Sequence, residues 1–183
     1  LAILITHLYL ALGTYTWSLA DSLPLHVCRM SCLVAGLALI TKRQSLFEWS
    51  AYVGLPGGVH SLLTPELTQG DTAWMLFDYY FSHSMLVLAP ILLFHVGFRP
   101  RAATATRMFI VLNIVAIMVY PLNIALGANY MYLNHKPIAD NPILIGPWPW
   151  YIVALEAAFI LHLALMDVAF RIMPNRRLRA AQT

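Results

Sequence analysis

Charged residues are scarce in this chain of 183 amino acids: only 10% are Asp, Glu, Lys or Arg, whereas 60% are hydrophobic. Soluble domains carry about a quarter charged residues and under half apolar ones. The shortage of charge therefore argues against a cytosolic enzyme, a nucleic-acid-binding protein and a disordered tail. It predicts a membrane protein that crosses the bilayer several times.

Cysteine is also scarce, with only Cys28 and Cys32 present. They lie four residues apart on what the pattern predicts to be one helix, a spacing that does not favour a disulfide. Neither a CxxC nor an HxxxH motif occurs, so the sequence predicts no metal site, and nothing in it indicates a cofactor. Internal repeats and low-complexity linkers are absent as well, which predicts a single domain.

Six runs of mostly apolar residues approach or exceed the roughly 20 residues that a transmembrane helix needs. They cover residues 1–19, 23–41, 46–63, 73–98, 108–127 and 148–171. The third run is short and contains Pro56-Gly57-Gly58, so we expect a kinked or partly re-entrant helix there. An Asp21-Ser22 cap is expected to open the second helix, and Gly70-Asp71-Thr72 the fourth.

The expected fold is thus an all-α, polytopic membrane helix bundle. Residues 1–172 form its single transmembrane domain and residues 173–183 a basic cytoplasmic tail. Because the chain starts inside an apolar run, we also expect one further helix before residue 1.

Basic residues fall on every second loop of this arrangement. Nine of the eleven lie there: Lys42, Arg43, Arg99, Arg101, Arg107, Arg171, Arg176, Arg177 and Arg179. The positive-inside rule assigns these loops, and with them the C-terminus, to the cytoplasm.

Polar side chains concentrate in the opposite, outer halves of five predicted helices. They include His26, Cys28, Arg29, His60, Asp78, Tyr79, His83, Asn123, Asn129, Tyr130 and Trp150. Such groups are costly in hydrocarbon, so they indicate either a functional pocket or paired structural contacts. A pocket that opens toward the outer leaflet is one interpretation. Interhelical hydrogen bonds with an interfacial aromatic belt are the other, and both stay open at this point.

Cys28 is the strongest candidate nucleophile in this set. Its position near a helix N-terminus beside Arg29 favours the thiolate, whereas apolar burial opposes it. His83 is the best candidate base because it shares a helical stripe with Tyr79 at the depth of Cys28. His26 lies about 200° around a regular helix from Cys28, so a base from a neighbouring helix is favoured. Simple packing of Cys28 and a structural hydrogen bond at His83 are the alternatives.

Several motifs occur in a fixed order along the chain: LPLHVC at 23–28, GGVH at 57–60, FSH at 81–83, YPLN at 120–123 and GPWPWY at 146–151. Together they resemble the YwaF-like bacterial integral membrane proteins, relatives of the animal transmembrane protein 164 family of acyltransferases. The resemblance covers nearly the whole chain and implies a location in the bacterial cytoplasmic membrane. It implies an enzyme that remodels phospholipid through a cysteine acyl intermediate assisted by histidine. Carried onto this sequence, Cys28 is the nucleophile and His83 the base.

The function is left between three classes. The first is a lipid acyltransferase whose substrate-binding residues are His26, Arg29, His60, Tyr79, Asn123, Asn129, Tyr130 and Trp150. The second is a non-catalytic carrier of lipid or solute that uses the same pocket. The third is an accessory subunit of a larger membrane complex, which would add protein subunits to the membrane lipid expected as partner. No nucleic-acid partner is expected.

Overall fold

The computed structural model describes residues 2–14, 16–67, 70–137 and 141–173. Within these residues all regular secondary structure is helical, which confirms the predicted all-α class. The α-helices are α1 (Ala2–Leu8), α2 (Val27–Thr41), α3 (Gln44–Trp49), α4 (Leu55–Leu63), α5 (Ala73–His95), α6 (Thr104–Leu126) and α7 (Trp150–Ile172). A π-helical segment at Tyr9–Gly13 extends α1, a second at Ser50–Gly54 joins α3 to α4, and a 3-10 turn at Tyr130–Tyr132 follows α6.

Three helices, α5, α6 and α7, are long and apolar enough to cross a membrane. The apolar helices Ile3–Gly13 and Val27–Thr41 are shorter, so the described helices do not support the predicted count of six spans. Large apolar side chains cover the outer faces of α6 and α7, among them Ile114, Ile117, Ile160, Leu161 and Leu165. Such extended apolar faces are typical of surfaces that contact lipid or another protein.

The first helix was predicted to reach residue 19, but it ends at Gly13. The Thr14 hydroxyl donates to the Leu10 carbonyl at 3.2 Å, and the Thr14 amide closes the last turn onto Tyr9. Beyond this cap, the Trp17 indole donates to His7 Nδ1 at 3.0 Å. This bond brings the chain back toward α1, so residues 16–19 do not extend the helix.

The second helix begins at Val27 rather than at residue 23, and the predicted Asp21-Ser22 cap is wrong. The Ser18 hydroxyl donates to the Asp21 carboxylate at 2.8 Å, and the Ser18 amide donates to Ser22 Oγ at 3.1 Å. Both side chains thus stabilise a local turn, an alternative to helix that short polar residues favour. His26 takes the cap position with extended backbone angles.

Pro56-Gly57-Gly58, where we expected a kinked or partly re-entrant helix, does not interrupt the third helix. Helical structure runs through α3, the π-helical segment and α4 without interruption. Pro56 is the second residue of α4, the helix that directly follows the π-helical segment. The irregularity is the π-helical segment Ser50–Gly54, all of it buried, which lies just before the proline.

This third helical stretch is the centre of the bundle. Phe47, Ala51 and Tyr52 are almost completely buried. They pack in one cluster with side chains of the surrounding helices: Ala38 of α2, Leu93 of α5, Met108 of α6 and Leu163 of α7. Where α4 meets α5, Gly58 allows a close approach, since a Cβ there would lie 2.8 Å from Leu86 Cβ.

The buried carboxylate of Glu48 joins α3 to the loop between α5 and α6, at the end of the bundle where α2 ends and α6 begins. Arg101 donates to it twice through its guanidinium, at 2.9 and 2.8 Å, and once through its backbone amide at 2.9 Å. Gln44 adds a further bond at 3.1 Å. Because a bidentate Arg–carboxylate pair is directional, it fixes the loop between α5 and α6 against α3.

The remaining helices lie near their predicted positions. Thr72 caps α5 by accepting from the Met75 amide, which confirms the predicted start. Pro90 and Pro121 lie inside α5 and α6 without ending them. The tail residues Arg176, Arg177 and Arg179 lie outside the described residues.

Candidate functional site

A cavity of about 420 Å³ lies at the end of the bundle where α2 begins and α4 ends. Small-molecule sites commonly have volumes of about 300–1,000 Å³. Polar groups line one part of it: Asp21, His26, Cys28, Arg29, His60, Ser61, Glu66, Tyr79 and His83. Apolar side chains of α6 and α7 line another part: Leu112, Ala116, Ile152, Leu155 and Phe159.

Unequal helix lengths explain why there is space here. Arg29, in the first turn of α2, bonds Asp78, which lies well inside α5. His60, in the last turn of α4, bonds His162, which lies halfway along α7. The start of α2 and the end of α4 therefore lie deeper in the bundle than the first turns of α5 and α7. The cavity occupies the space that these two shorter helices leave.

Cys28 is the second residue of α2 and contributes to the cavity wall. Its Sγ lies 3.4 Å from the hydroxyl oxygen of Ser61 on α4. Gly57, one turn earlier on α4, faces the same sulfur, because a Cβ there would lie 3.7 Å from Sγ. The N–H groups of a first helical turn favour negative charge on the sulfur, whereas its burial opposes that charge.

His83 of α5 also lines the cavity, and its ring is held in one orientation. Its Nδ1 lies 2.7 Å from the backbone carbonyl oxygen of Tyr79. The imidazole ring of His83 also packs against the phenol ring of Tyr79, with the ring centroids 4.2 Å apart. Since a carbonyl only accepts, Nδ1 carries a proton and the neutral ring keeps its lone pair on Nε2. This is the tautomer that a general base needs.

The structure brings Cys28 and His83 to the same cavity, but no hydrogen bond joins them in the part of the chain that the structure describes. Within the described residues, the hydrogen-bond neighbour of the sulfur is Ser61, and that of His83 is the Tyr79 backbone. Tyr79 bridges the two regions, because its hydroxyl donates to the Ser61 carbonyl at 2.9 Å. Catalytic contacts are often loose in the absence of substrate.

Arg29 is anchored at the cavity by an ion pair with Asp78 of α5. Its Nη1 lies 2.8 Å from a carboxylate oxygen of Asp78, which is completely buried. The hydroxyl of Ser82 donates to the other carboxylate oxygen at 3.2 Å. The guanidinium is thereby held at a fixed point of the cavity wall.

His60 forms an unusual pair with His162 of α7. The two Nε2 atoms lie 2.8 Å apart, and the rings are nearly perpendicular. His60 lines the cavity, whereas His162 bonds His60 and is not among the described residues that line the cavity. Deeper in the cavity, Glu156 of α7 accepts from Asn113 of α6 at 3.2 Å.

His26 points away from Cys28, toward the segment that follows α6. Its Nδ1 accepts from the Met131 amide at 3.3 Å, and its ring packs against Tyr130 and Tyr132. Because its Nδ1 accepts this hydrogen bond, the neutral ring carries its proton on Nε2.

Four of the predicted site residues do not line the cavity. Asn123 and Tyr130 bond each other reciprocally: the Asn123 amide donates to the Tyr130 carbonyl, and its oxygen accepts from the Tyr130 amide, both at 2.9 Å. The Tyr130 hydroxyl donates to the Leu19 carbonyl, and burial raises its pKa. Asn129 bonds within its own loop, and Trp150 is 65% exposed.

Within the described residues, no group of three or more His, Cys, Asp or Glu side chains is placed to hold a metal ion.

Comparison with known proteins identifies the family. A model of the TMEM164 family matches residues 1–167. The chain belongs to the TMEM164 family. The relation suggested by the ordered motifs is thereby confirmed. Neither a curated protein nor a solved structure matches the chain.

The part of the chain that matches the TMEM164 family contains every residue of the cavity wall. Together with the long apolar helices, membership in this family indicates a membrane protein. The cavity is thus a feature of the family region itself.

Among the contributors to this TMEM164-family site that were missed in the sequence are Ser61 and His162. No sequence feature marks Ser61 as a functional residue, because serine is common in helices that pack closely in membranes. His162 does have such a feature: it is a lone histidine in an apolar stretch of α7, and such residues are rarely without a partner in hydrocarbon.

Proposed function

We propose that this protein is a membrane-embedded acyltransferase that moves an acyl chain between lipids through a thioester on Cys28. The observation that carries the proposal is the position of Cys28 on the wall of a cavity with a polar part and an apolar part. A lipid is amphipathic in the same way. Its ester bond would lie near the sulfur, with its tail among Leu112, Leu155 and Phe159.

The proposed reaction has two halves. In the first, His83 Nε2 takes the proton of the Cys28 thiol, and the thiolate attacks the ester carbonyl carbon. The carbon–oxygen bond to the first lipid breaks, and His83 returns the proton to the departing alcohol. The hydroxyl of Ser61 and the first-turn amides of α2 are the donors nearest the sulfur for the developing oxyanion. In the second half, the hydroxyl of another lipid takes the acyl group.

We further propose six crossings of the bacterial cytoplasmic membrane, with the C-terminus in the cytoplasm. The helical stretch 44–63 has 20 residues, about 30 Å at 1.5 Å per residue, which equals a typical hydrocarbon thickness. Its moderate polarity is tolerated because other helices surround it. Lys42, Arg101 and Arg171 each lie at or beside a helix end. These ends are close together, because Gln44 donates to the Arg99 carbonyl and Arg101 and Arg171 line one small pocket.

Labelling of introduced cysteines tests this topology. Lys42→Cys and Lys136→Cys are each made in a chain with Cys28 and Cys32 replaced by Ala. A membrane-impermeant maleimide added to spheroplasts should label position 136 and spare position 42. The reverse pattern would contradict the proposed orientation.

Replacement of the nucleophile tests the enzymatic proposal. Cys28→Ala and Cys28→Ser are reconstituted into vesicles with a phosphatidylethanolamine carrying a deuterated acyl chain and a lysophospholipid acceptor. Wild-type protein should gain the mass of one acyl group and transfer the label, whereas both variants should do neither.

Cys32→Ala is the matched control. Cys32 lies one turn further along α2 and packs near Leu86, with its sulfur 3.8 Å from the Ser82 carbonyl. It does not line the cavity, so this variant should retain the adduct and the transfer. Full acyl transfer by both Cys28 variants would refute the mechanism.

A non-catalytic lipid carrier is the second candidate. The observation that favours it is that Cys28 bonds Ser61, while His83 bonds the Tyr79 backbone. A carrier would bring lipid with it on purification and would exchange whole lipids in the same vesicles without any acyl–protein mass. Cys28→Ala would leave that exchange intact. An accessory role would instead show as stoichiometric co-purification of another subunit.

A further inference from the structure

The His60–His162 pair has no role in the first half of the reaction, yet it contributes to the same cavity. The Nε2–Nε2 distance of 2.8 Å means that one ring donates a proton to the other. Two adjacent imidazoles that share one hydrogen bond are a route along which a proton can pass.

The surroundings of His162 decide which ring donates. Nδ1 of His162 bonds the carbonyl of Ala158, four residues earlier on α7. Because that carbonyl only accepts, Nδ1 of His162 carries the proton, and its Nε2 holds the lone pair. His60 must then donate through Nε2. A neutral His60 that donates through Nε2 keeps its second lone pair on Nδ1.

His60 also shares the cavity wall with Cys28. It lies one helical turn from Gly57 and directly beside Ser61, the two residues of α4 that face Cys28. Side chains three apart on a helix are neighbours, with Cβ atoms about 5–6 Å apart. A group bonded to the sulfur of Cys28 would thus occupy the cavity that His60 lines.

We propose that His60 is the base for the second half-reaction and that His162 is a positioning residue that takes over the proton from it. This inference rests on the proposed acyltransferase function and assigns the acceptor step of the same site. The acceptor is a hydroxyl, carried by a lipid, and water is the competing one.

The proton balance of this step closes. The acceptor oxygen forms a bond to the thioester carbonyl carbon while its proton goes to His60 Nδ1. The Nε2 proton of His60 moves to Nε2 of His162, which then carries the positive charge and still donates to Ala158. The carbon–sulfur bond breaks, the transfers reverse, and the proton from the pair restores the Cys28 thiol.

Single-turnover measurements separate the two half-reactions. Wild type, His60→Gln, His162→Gln and the double variant are reconstituted with the deuterated donor lipid alone, and the acyl–protein mass is followed over time. Lysophosphatidylethanolamine is then added, and the loss of the adduct is followed. His95→Gln is the matched control, since His95 lies exposed at the opposite end of α5.

In each variant we expect the acyl–protein to form only moderately more slowly than in the wild type. Its transfer to the acceptor should fall about 100-fold or more, the usual contribution of a general base. The thioester should accumulate, which a merely structural loss would not cause. The double variant should be no worse than His60→Gln, since residues that act as a unit are not additive.

Two results would overturn the inference. One is wild-type transfer from the thioester in both folded single variants, and the other is an equal loss of both half-reactions. If His60→Gln does not purify as a folded protein, His162→Gln carries the test, because His162 does not line the cavity. If wild-type protein itself never forms an adduct on Cys28, it is the acyltransferase proposal that fails.

Discussion

Arg29 and Asp78 form an ion pair that joins α2 to α5 at the edge of the cavity, with Nη1 and Oδ2 2.8 Å apart. Asp78 has no solvent exposure, whereas the side chain of Arg29 is 25% exposed. Ser82 satisfies the remaining carboxylate oxygen. A buried carboxylate of this kind is stable only with such partners.

We therefore expect Asp78→Ala to destabilise the protein strongly. Removing one partner of a buried pair typically costs about 3–5 kcal/mol, and the partial exposure of Arg29 favours the lower part of that range. Chemical denaturation in detergent measures the loss. Asp71→Ala, at an exposed position just before α5, is the control and should change stability by no more than about 0.5 kcal/mol. Equal stability of the two variants would mean that the pair does not join the helices.

The helices that could be predicted well are those whose apolar run and whose boundaries are local properties of the chain. For α5, the run and the Thr72 cap both lie within one segment. The prediction for the segment before α2 was wrong because the structure of this segment depends on longer-range contacts, such as Trp17 with His7 and Tyr130 with Leu19. The π-helical segment Ser50–Gly54 has no sequence pattern that distinguishes it from a regular helix.

The candidate site could be predicted in part for a similar reason. Counting residues along a predicted span estimates how deep a side chain lies in the membrane. The similar depths of Cys28, Arg29 and His83 predicted that these residues lie close together. Direction around a helix and the relative lengths of helices do not follow from such a count. Asn123 consequently turned out to bond the Tyr130 backbone. His162, far along α7, was overlooked although it bonds His60 at the end of α4.

Close packing at Gly58 predicts opposite effects for two glycine replacements. In Gly58→Ala, the new Cβ would lie 2.8 Å from Leu86 Cβ and 3.0 Å from the His83 carbonyl. Such overpacking costs about 1–3 kcal/mol and should also displace His83, lowering acyl transfer. Gly36→Ala is the control on α2, where nothing lies within 4 Å of the added Cβ. It should stabilise the helix by about 0.5–1 kcal/mol. The same sign of change in both would contradict this packing.

The reciprocal bonds of Asn123 predict a structural effect without a catalytic one. Asn123→Ala leaves the Tyr130 backbone amide and carbonyl without these partners in a buried position, at a cost of about 1–3 kcal/mol. Thermal unfolding in detergent should show the loss, while the transfer rate per folded molecule stays near wild type. Asn129→Ala, in a more exposed loop, should destabilise less. A fall in the transfer rate at unchanged stability would instead assign Asn123 to the site.

The apolar part of the cavity predicts a dependence on acyl-chain length. Ala116 faces the cavity, whereas its neighbour Ile117 is 72% exposed on the outer face of α6. Ala116→Trp should displace two or three methylene groups of a bound chain. At about 0.8 kcal/mol for each methylene, binding of a long chain weakens roughly 15- to 60-fold.

Competition between donors with palmitoyl and hexanoyl chains measures this change. Ala116→Trp should shift the preference toward hexanoyl, because a short chain does not reach the added ring. Ile117→Trp adds the same side chain one residue away, on the exposed outer face of α6, and should leave the preference unchanged. If both variants keep the wild-type preference, the acyl chain does not enter between α6 and α7. The ester would then have to approach Cys28 from another side of the cavity.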